Sequence, residues 1–290
     1  MMAVSRVDAH HHFLDPGRVD YPWLTDEMGA IRRVCGAAEL RPELDREGIG
    51  NTVLVQALPS VDETRDLLSL ATGTPFVAGV VGWVNLTAPD VAAQIESLRA
   101  GAGGDLLVGV RHAVHDESDV DWLRRVEVHR GLAAVESAGL AFDLLVRARE
   151  LPVATEVCRA FPELRFVLDH LAKPPIASGD LSAWGRALLS LAELPNVSAK
   201  ISGLVTEADW RTWSIDDLRH PIELAVDAFG ASRLMLGSDW PVCLLAGSYS
   251  DVLDSPRYLL AELPAHEQDE IRGLTAMRVY RLSRPGNVAR

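Results

Sequence analysis

The residues of this chain with the clearest chemical potential are the histidines near its start. His10, His11 and His12 end the segment Arg6–His12, which has the composition of a strand. Side chains alternate along a strand, so His10 and His12 share one face and His11 points to the other. Two imidazoles on one face can bind one metal ion or one substrate oxygen. A solvated loop is the alternative, but the spacing favours a catalytic or metal-binding pair.

Two more polar side chains end apolar runs later in the chain. Asp239 closes one run and His170 closes another. A carboxylate in such a place can ligate a metal, or accept a proton from water as a general base. Asp239 could instead cap a helix, and His170 could be a core residue. We expect both to join His10 and His12 as catalytic residues, with His10, His12 and Asp239 as metal ligands and His170 as a further candidate ligand.

Four residues are candidates for binding the substrate. Arg111 could hold a carboxylate or lactone oxygen through its planar guanidinium, unless it forms a structural ion pair. His112 follows it directly, Trp240 follows the catalytic aspartate, and Trp23 lies in a long segment after the first strand. We expect Arg111, His112, Trp23 and Trp240 to contact the substrate.

The elements that must position these residues alternate along the chain. Short β-branched runs alternate with longer segments of helical composition such as Val126–Ala138, Leu151–Ala160 and Pro221–Ala228. This alternation is typical of βαβ units, and eight repeats favour a single (β/α)8 TIM barrel over residues 1–290. The eight expected strands are Arg6–His12, Thr52–Ala57, Phe76–Val84, Leu107–His112, Phe142–Val146, Arg165–His170, Val197–Gly203 and Leu234–Asp239.

The candidate residues then fall at one rim of that barrel. Active sites of TIM barrels lie at the carboxyl ends of the strands, where this sequence accumulates its polar side chains. An extended loop at about 15–46 is expected to cover the site, and a helix pair over Glu262–Leu282 is expected to close the chain.

Composition restricts the class of partner. The 290 residues carry a formal net charge of −13, and their lysines and arginines are dispersed. Such a chain repels nucleic acid and anionic membranes, so we expect a small-molecule substrate. No run of roughly 18 apolar residues and no signal-peptide pattern is visible, and three cysteines without a paired motif are typical of a reducing compartment. We expect a cytoplasmic protein, which could form a homo-oligomer.

Several motifs resemble one family over nearly the whole chain. The resemblance is to the amidohydrolase-2 branch of the amidohydrolase superfamily, and within it to sugar lactonases of the L-fuconolactonase and L-rhamnonolactonase type. The motifs that carry it are Asp8-Ala9-His10-His11-His12-Phe13, Tyr21-Pro22-Trp23-Leu24, Gly109-Val110-Arg111-His112, Leu168-Asp169-His170-Leu171, Lys200-Ile201-Ser202-Gly203-Leu204 and Gly237-Ser238-Asp239-Trp240-Pro241.

The resemblance implies a hydrolase with at most one metal ion. Two-metal members of the superfamily carry a bridging lysine at strand 4 and a histidine at strand 5, whereas this chain has Arg111-His112 and no histidine in Phe142–Val146. Two alternatives remain open: a site with one divalent ion, for which zinc suits the ligands best, and a site without metal. The expected reaction is hydrolysis of a sugar lactone such as fucono- or rhamnonolactone, or of a related muconolactone or pyrone, with Asp239 as the base. A metal-dependent decarboxylase of an aromatic or unsaturated acid is the alternative enzyme, and a sugar-acid binding barrel the alternative without catalysis.

Overall fold

The computed structural model describes residues 6–283 and shows a closed barrel of eight parallel strands. Each strand pairs in parallel with the next along the chain. The barrel closes where the His12 amide donates to Trp240 O at 2.6 Å and the Asp239 amide donates to His10 O at 2.8 Å. The predicted (β/α)8 barrel is therefore confirmed. Its strands are β1 Arg6–His11, β2 Ile49–Val55, β3 Val77–Gly82, β4 Leu107–Ala113, β5 Ala141–Leu145, β6 Arg165–Leu168, β7 Val197–Ile201 and β8 Leu234–Leu236.

Helices follow the strands and cover the outside of the barrel. The helix predicted at Leu151–Ala160 has those bounds, but the one predicted at Pro221 begins earlier, at Ile215. There Ser214 and Asp217 form a capping box that satisfies the first amides of the helix. The helices are α1 Ala37–Glu47, α2 Val61–Thr72, α3 Val91–Ala100, α4 Val126–Ser137, α5 Leu151–Ala160, α6 Ser182–Ala192, α7 Ile215–Phe229, α8 Tyr249–Leu259, α9 Ala265–Asp269 and α10 Thr275–Val279.

The two predicted extensions of the barrel are present with modified bounds. The expected loop at 15–46 is irregular only as far as 36, because its last part forms α1. The expected closing pair forms α9 and α10, joined by the π-helical turn Glu270–Leu274. Among residues 6–283, no helix combines the length and apolar character needed to cross a bilayer. Residues 1–5 and 284–290 of the expected domain lie outside the described residues.

The interior of the barrel is apolar at one end and polar at the other. Tyr280 and Val279 pack against inward-facing valines of the first three strands and so cover the amino-terminal end. This packing leaves the carboxyl-terminal end of the strands as the open face. The polar residues predicted to carry the chemistry lie at that face.

Candidate active site

Four side chains converge at the carboxyl end of the barrel, and we call His10, His12, His170 and Asp239 the floor of the site. His10 Nε2 lies 3.2 Å from His12 Nε2 and 3.7 Å from Asp239 Oδ1. The same carboxylate oxygen lies 3.4 Å from His12 Nε2 and 4.0 Å from His170 Nε2. All four residues are at most 5% exposed. The structure thus brings together the four residues that the sequence selected as catalytic.

Backbone conformation turns two of these residues into the site. The regular strands β6 and β8 end at Leu168 and Leu236, before the predicted bounds, and His170 and Asp239 adopt left-handed φ values of 53° and 58°. Such values are unfavourable for residues with a Cβ and occur at functional sites. Gly203 leaves room for both side chains, because a Cβ there would lie 2.6 Å from His170 Nδ1 and 2.9 Å from Asp239 Oδ2.

Hydrogen bonds on the far side of each ring orient the imidazoles. His12 Nδ1 donates to Val55 O at 2.8 Å. Since a carbonyl only accepts, Nδ1 donates in this contact, and Nε2 is the nitrogen that faces the floor. His170 Nδ1 contacts Ser202 Oγ at 2.9 Å, and its Nε2 also faces the floor. The ring nitrogens on the pocket side are therefore available to a ligand or an ion.

Burial sets the charge of the floor at neutral pH. Removal from water lowers the pKa of His170 to about 4 and that of His10 well below the usual histidine range. Both rings are neutral at pH 7. Burial opposes ionisation of Asp239, but the surrounding imidazoles, His170 first, outweigh it and hold the pKa of that carboxyl below its usual range. The floor therefore presents one carboxylate beside the neutral rings of His10 and His170.

This donor set fits one divalent ion. In a tetrahedral zinc site with bonds of about 2.0–2.1 Å, neighbouring ligand atoms are about 3.3 Å apart. The separations between His10, His12 and Asp239 of 3.2, 3.4 and 3.7 Å are close to that value. His10, His170 and Asp239 also offer ligand atoms within 4.8 Å of one another. Nitrogen and carboxylate oxygen are ligands that zinc accepts.

A cavity of about 310 Å³ opens above the floor. Arg111, predicted to bind substrate, lies at its base, where Nη1 contacts His10 Nε2 at 3.3 Å and Asp169 Oδ2 at 3.1 Å. Trp23 lines the side of the cavity and donates from Nε1 to Ala57 O at 3.0 Å. We call the side chains that enclose the cavity from the loops the wall; they are Trp23, Met28, His115 and Arg147.

His112 and Trp240, the other two candidates for substrate binding, have different contacts. Within the described part of the chain, neither lines this cavity. The His112 ring stacks on Trp122 with centroids 4.2 Å apart, accepts from Trp83 Nε1 and donates to Glu117. Trp240 is 1% exposed in the core. Strand alternation turns His112 away from the side that Arg111 faces, and Trp240 packs in the core beyond the end of β8.

The sequence reasoning did not select three charged residues beneath the floor. Asp143, Asp169 and Lys200 are each 0% exposed, and they contact one another around the His10 ring. A signal was present: Asp143 and Lys200 interrupt otherwise apolar strand runs, where a charge is costly unless it is paired. Ser202, which orients His170, lies two residues after Lys200 and so on the same face.

Comparison with known proteins identifies the family of this chain. The profile described as amidohydrolase matches residues 7–282. The chain belongs to the amidohydrolase family. It is 40% identical over 297 residues to an L-fucono-1,5-lactonase of Burkholderia multivorans, covering 99% of each chain. It is 46% identical over 248 residues to an L-fucono-1,5-lactonase of Burkholderia ambifaria, covering 85% of this chain and 83% of that one.

A solved structure extends the similarity to three dimensions. An amidohydrolase from Burkholderia multivorans, crystallised with bound zinc, shares 39% identity with this chain at a TM-score of 0.90. The similarity covers 96% of this chain and all of that one. The resemblance identified from the motifs is therefore confirmed for the family.

Proposed function

We propose that this amidohydrolase opens the ring of a sugar 1,5-lactone, with L-fucono-1,5-lactone as the first substrate to test. The observation that carries the proposal is the convergence of one carboxylate, Asp239, with three imidazoles on the floor of an open cavity. Two lactonases at 40% and 46% identity support the choice of substrate class. The reaction belongs to carbohydrate catabolism.

In the first step, water adds to the lactone carbonyl. Asp239 accepts a proton from the water while the water oxygen bonds to the carbonyl carbon. Negative charge develops on the carbonyl oxygen, and donors fixed in a buried site stabilise such charge more strongly than water does. The Arg111 guanidinium lies 3.3 Å from His10 Nε2, so Arg111 adds positive potential at the floor, where we assign the carbonyl oxygen.

In the second step, the ring opens. The carbonyl re-forms, the bond from the carbonyl carbon to the ring oxygen breaks, and Asp239 returns its proton to the departing oxygen. The product is an open-chain hydroxy acid, which ionises at neutral pH and releases a proton to the solvent. Asp239 thus acts first as a base and then as an acid, and the site is regenerated.

One divalent ion fits the floor. His10, His12 and Asp239 would hold it, with His170 as a further ligand, and zinc suits these donors. When bound, the ion supplies Lewis acidity toward an oxygen of the substrate. The chain's own residues have the same task in either state: they orient the carbonyl, exclude water from the buried floor and move the proton at Asp239.

The substrate would occupy the cavity between floor and wall. A volume of about 310 Å³ is at the lower end of the range for small-molecule sites. We assign Arg111 to the carbonyl end of the lactone and Trp23 to a face of its ring. Three buried free cysteines, Cys35, Cys158 and Cys243, are consistent with a cytoplasmic enzyme, and self-association is compatible with the proposal.

The proposal is tested by measuring turnover. Purified protein is offered a panel of sugar 1,4- and 1,5-lactones in weakly buffered indicator solution, with the spontaneous opening of each lactone as the control. We expect acid release above that control, fastest with L-fucono-1,5-lactone or a close stereoisomer. Release of CO2 from aromatic acids, without acid release from any lactone, would show that the chain is a decarboxylase instead.

A further inference from the structure

A single ammonium group lies beneath the floor and contacts three other side chains. Lys200 on β7 is fully buried, and its Nζ lies 2.6 Å from Asp143 Oδ2 and 2.8 Å from Asp169 Oδ1. The same nitrogen lies 3.1 Å from His10 Nδ1. These partners belong to β5, to the end of β6 and to β1. One side chain therefore connects four neighbouring parts of the barrel directly below the proposed reaction site.

Stability alone does not account for this arrangement. Moving an ion out of water is costly, and replacing buried ion pairs by apolar residues is often neutral or stabilising. Besides its polar partners, Lys200 adjoins apolar side chains such as Met235 on the next strand, so an apolar residue is compatible with that part of the packing. A buried charge that contacts a floor histidine therefore calls for an explanation in terms of the site.

The contacts of the His10 ring supply that explanation. Its Nε2 faces His12, Arg111 and Asp239, while its Nδ1 faces Lys200 and, at 3.3 Å, Asp169 Oδ1. Holding Nδ1 fixes the rotation of the ring and hence the direction of Nε2. We infer that Lys200 is a positioning residue, which holds the His10 ring so that Nε2 points into the floor of the site, toward His12 and Asp239. The inference rests on the proposed lactone hydrolysis.

The far end of the network provides a matched control. Tyr280, in the part of the chain that closes the opposite end of the barrel, donates its hydroxyl to Asp143 Oδ2 at 2.7 Å. Tyr280→Phe removes a buried hydrogen bond from the same carboxylate that Lys200 contacts. It leaves the contact between Lys200 and His10 in place, so it measures the effect of disturbing the network without releasing the ring.

The first test removes the ammonium while keeping the buried charges balanced. The variant Lys200→Met with Asp143→Asn loses one charge of each sign and leaves Asp169 paired with Arg111. We expect kcat for lactone opening to fall about 10–100-fold, with KM changed less than about threefold. Tyr280→Phe should keep kcat within about twofold, since it removes one buried hydrogen bond far from the substrate. A folded double variant with wild-type kcat would overturn the inference.

The second test asks whether Lys200 acts through His10. The same double substitution is made in a His10→Asn background, and the two losses in kcat are compared. If Lys200 works by positioning His10, the substitution costs little once the imidazole is gone. Equal losses in both backgrounds would show a general structural effect and would overturn the inference.

A third measurement observes the His10 ring directly and does not depend on turnover. The nitrogen chemical shifts of the His10 ring, assigned by their loss in His10→Asn, report how the ring is held. We expect two widely separated shifts, as for a ring fixed in one neutral tautomer; averaged shifts would overturn the inference. Wild-type protein without activity on any lactone would refute the proposed function, but the same spectra of the Lys200→Met, Asp143→Asn variant would still decide whether Lys200 holds the ring: unchanged shifts in that variant would overturn the inference.

Discussion

The floor and the wall of the cavity are built in different ways. Floor residues lie at strand ends, are at most 5% exposed and are oriented by specific hydrogen bonds, such as that from His12 Nδ1 to Val55 O. Wall residues lie in the loops after the strands; Trp23 is half-buried and Arg147 is exposed. Rigid strand ends are suited to geometry that must be accurate, whereas loops change without disturbing the barrel. The difference suggests that the floor determines the reaction and the wall determines the substrate.

The largest expected effect comes from removing the histidine pair of the floor. Loss of one group that stabilises the transition state typically lowers kcat by about 10²–10³-fold. We expect the double variant His10→Asn, His12→Asn to lower kcat by more than this. The matched control is His11→Asn, because His11 points to the other face and contacts Thr52 Oγ1. Kinetics on the best lactone, with thermal unfolding to verify the fold, measure the effect. A larger loss of kcat in the His11 variant would contradict the assignment of His10 and His12, rather than His11, to the active site.

Metal content should depend on the floor alone. We expect protein purified without chelator to bind no more than one zinc ion per chain. Loss of a residue that only hydrogen-bonds to a metal ligand lowers metal affinity by about 10–100-fold. Because His12 is itself a proposed ligand, we expect His12→Asn to weaken zinc binding by at least about tenfold. Elemental analysis and competition with a chromophoric chelator provide the measurement. Two ions per chain, or zinc affinity unchanged in the variant, would be inconsistent with the proposed ligands.

Changes in the wall should affect KM more than kcat. Trp23→Leu keeps an apolar side chain but removes the indole face and its hydrogen bond to Ala57 O. We expect KM to rise about threefold to tenfold, equivalent to about 0.7–1.4 kcal/mol of binding free energy, with kcat nearly unchanged. Trp213→Leu is the control, since that indole donates to Ala246 O and does not line the cavity. A kcat that falls while KM stays constant would place Trp23 in the chemistry.

The smallest effect on activity is expected at His112. His112→Asn removes the stacking on Trp122 and disturbs the hydrogen bonds with Trp83 and Glu117. The free energy of unfolding should fall by about 1–2 kcal/mol, while kcat/KM changes less than about twofold. Chemical denaturation and steady-state kinetics measure the two quantities. A rise in KM at unchanged stability would restore His112 to the substrate site.

The contrast between His12 and His112 shows how far the sequence could be interpreted. Strand alternation correctly placed His10 and His12 on one face, and the same rule, applied to Arg111 and His112, separates their side chains. It fails for Asp169 and His170, which both contribute to the site, because left-handed residues from 170 onward interrupt the pleat. Alternation is therefore informative only as far as the strand remains regular.

The fold of the barrel was predictable, but the buried network was not. Eight apolar runs separated by helical segments identified the fold, because each strand buries both faces. The contact of Lys200 with His10 joins residues 190 positions apart and depends on the order of strands in the closed barrel. The wall could not be predicted from the sequence either, because it depends on loop conformations that no periodicity specifies.

The central claim, that Asp239 activates water on the floor, is tested most directly by the kinetics of Asp239→Asn. The amide keeps the shape of the carboxylate and removes its basic oxygen. On the best lactone we predict that kcat falls by about 10²–10⁴-fold, the range for loss of a general base, with a much smaller change in KM. A folded Asp239→Asn protein that retains near wild-type kcat would contradict the account and would transfer the role of base to His170.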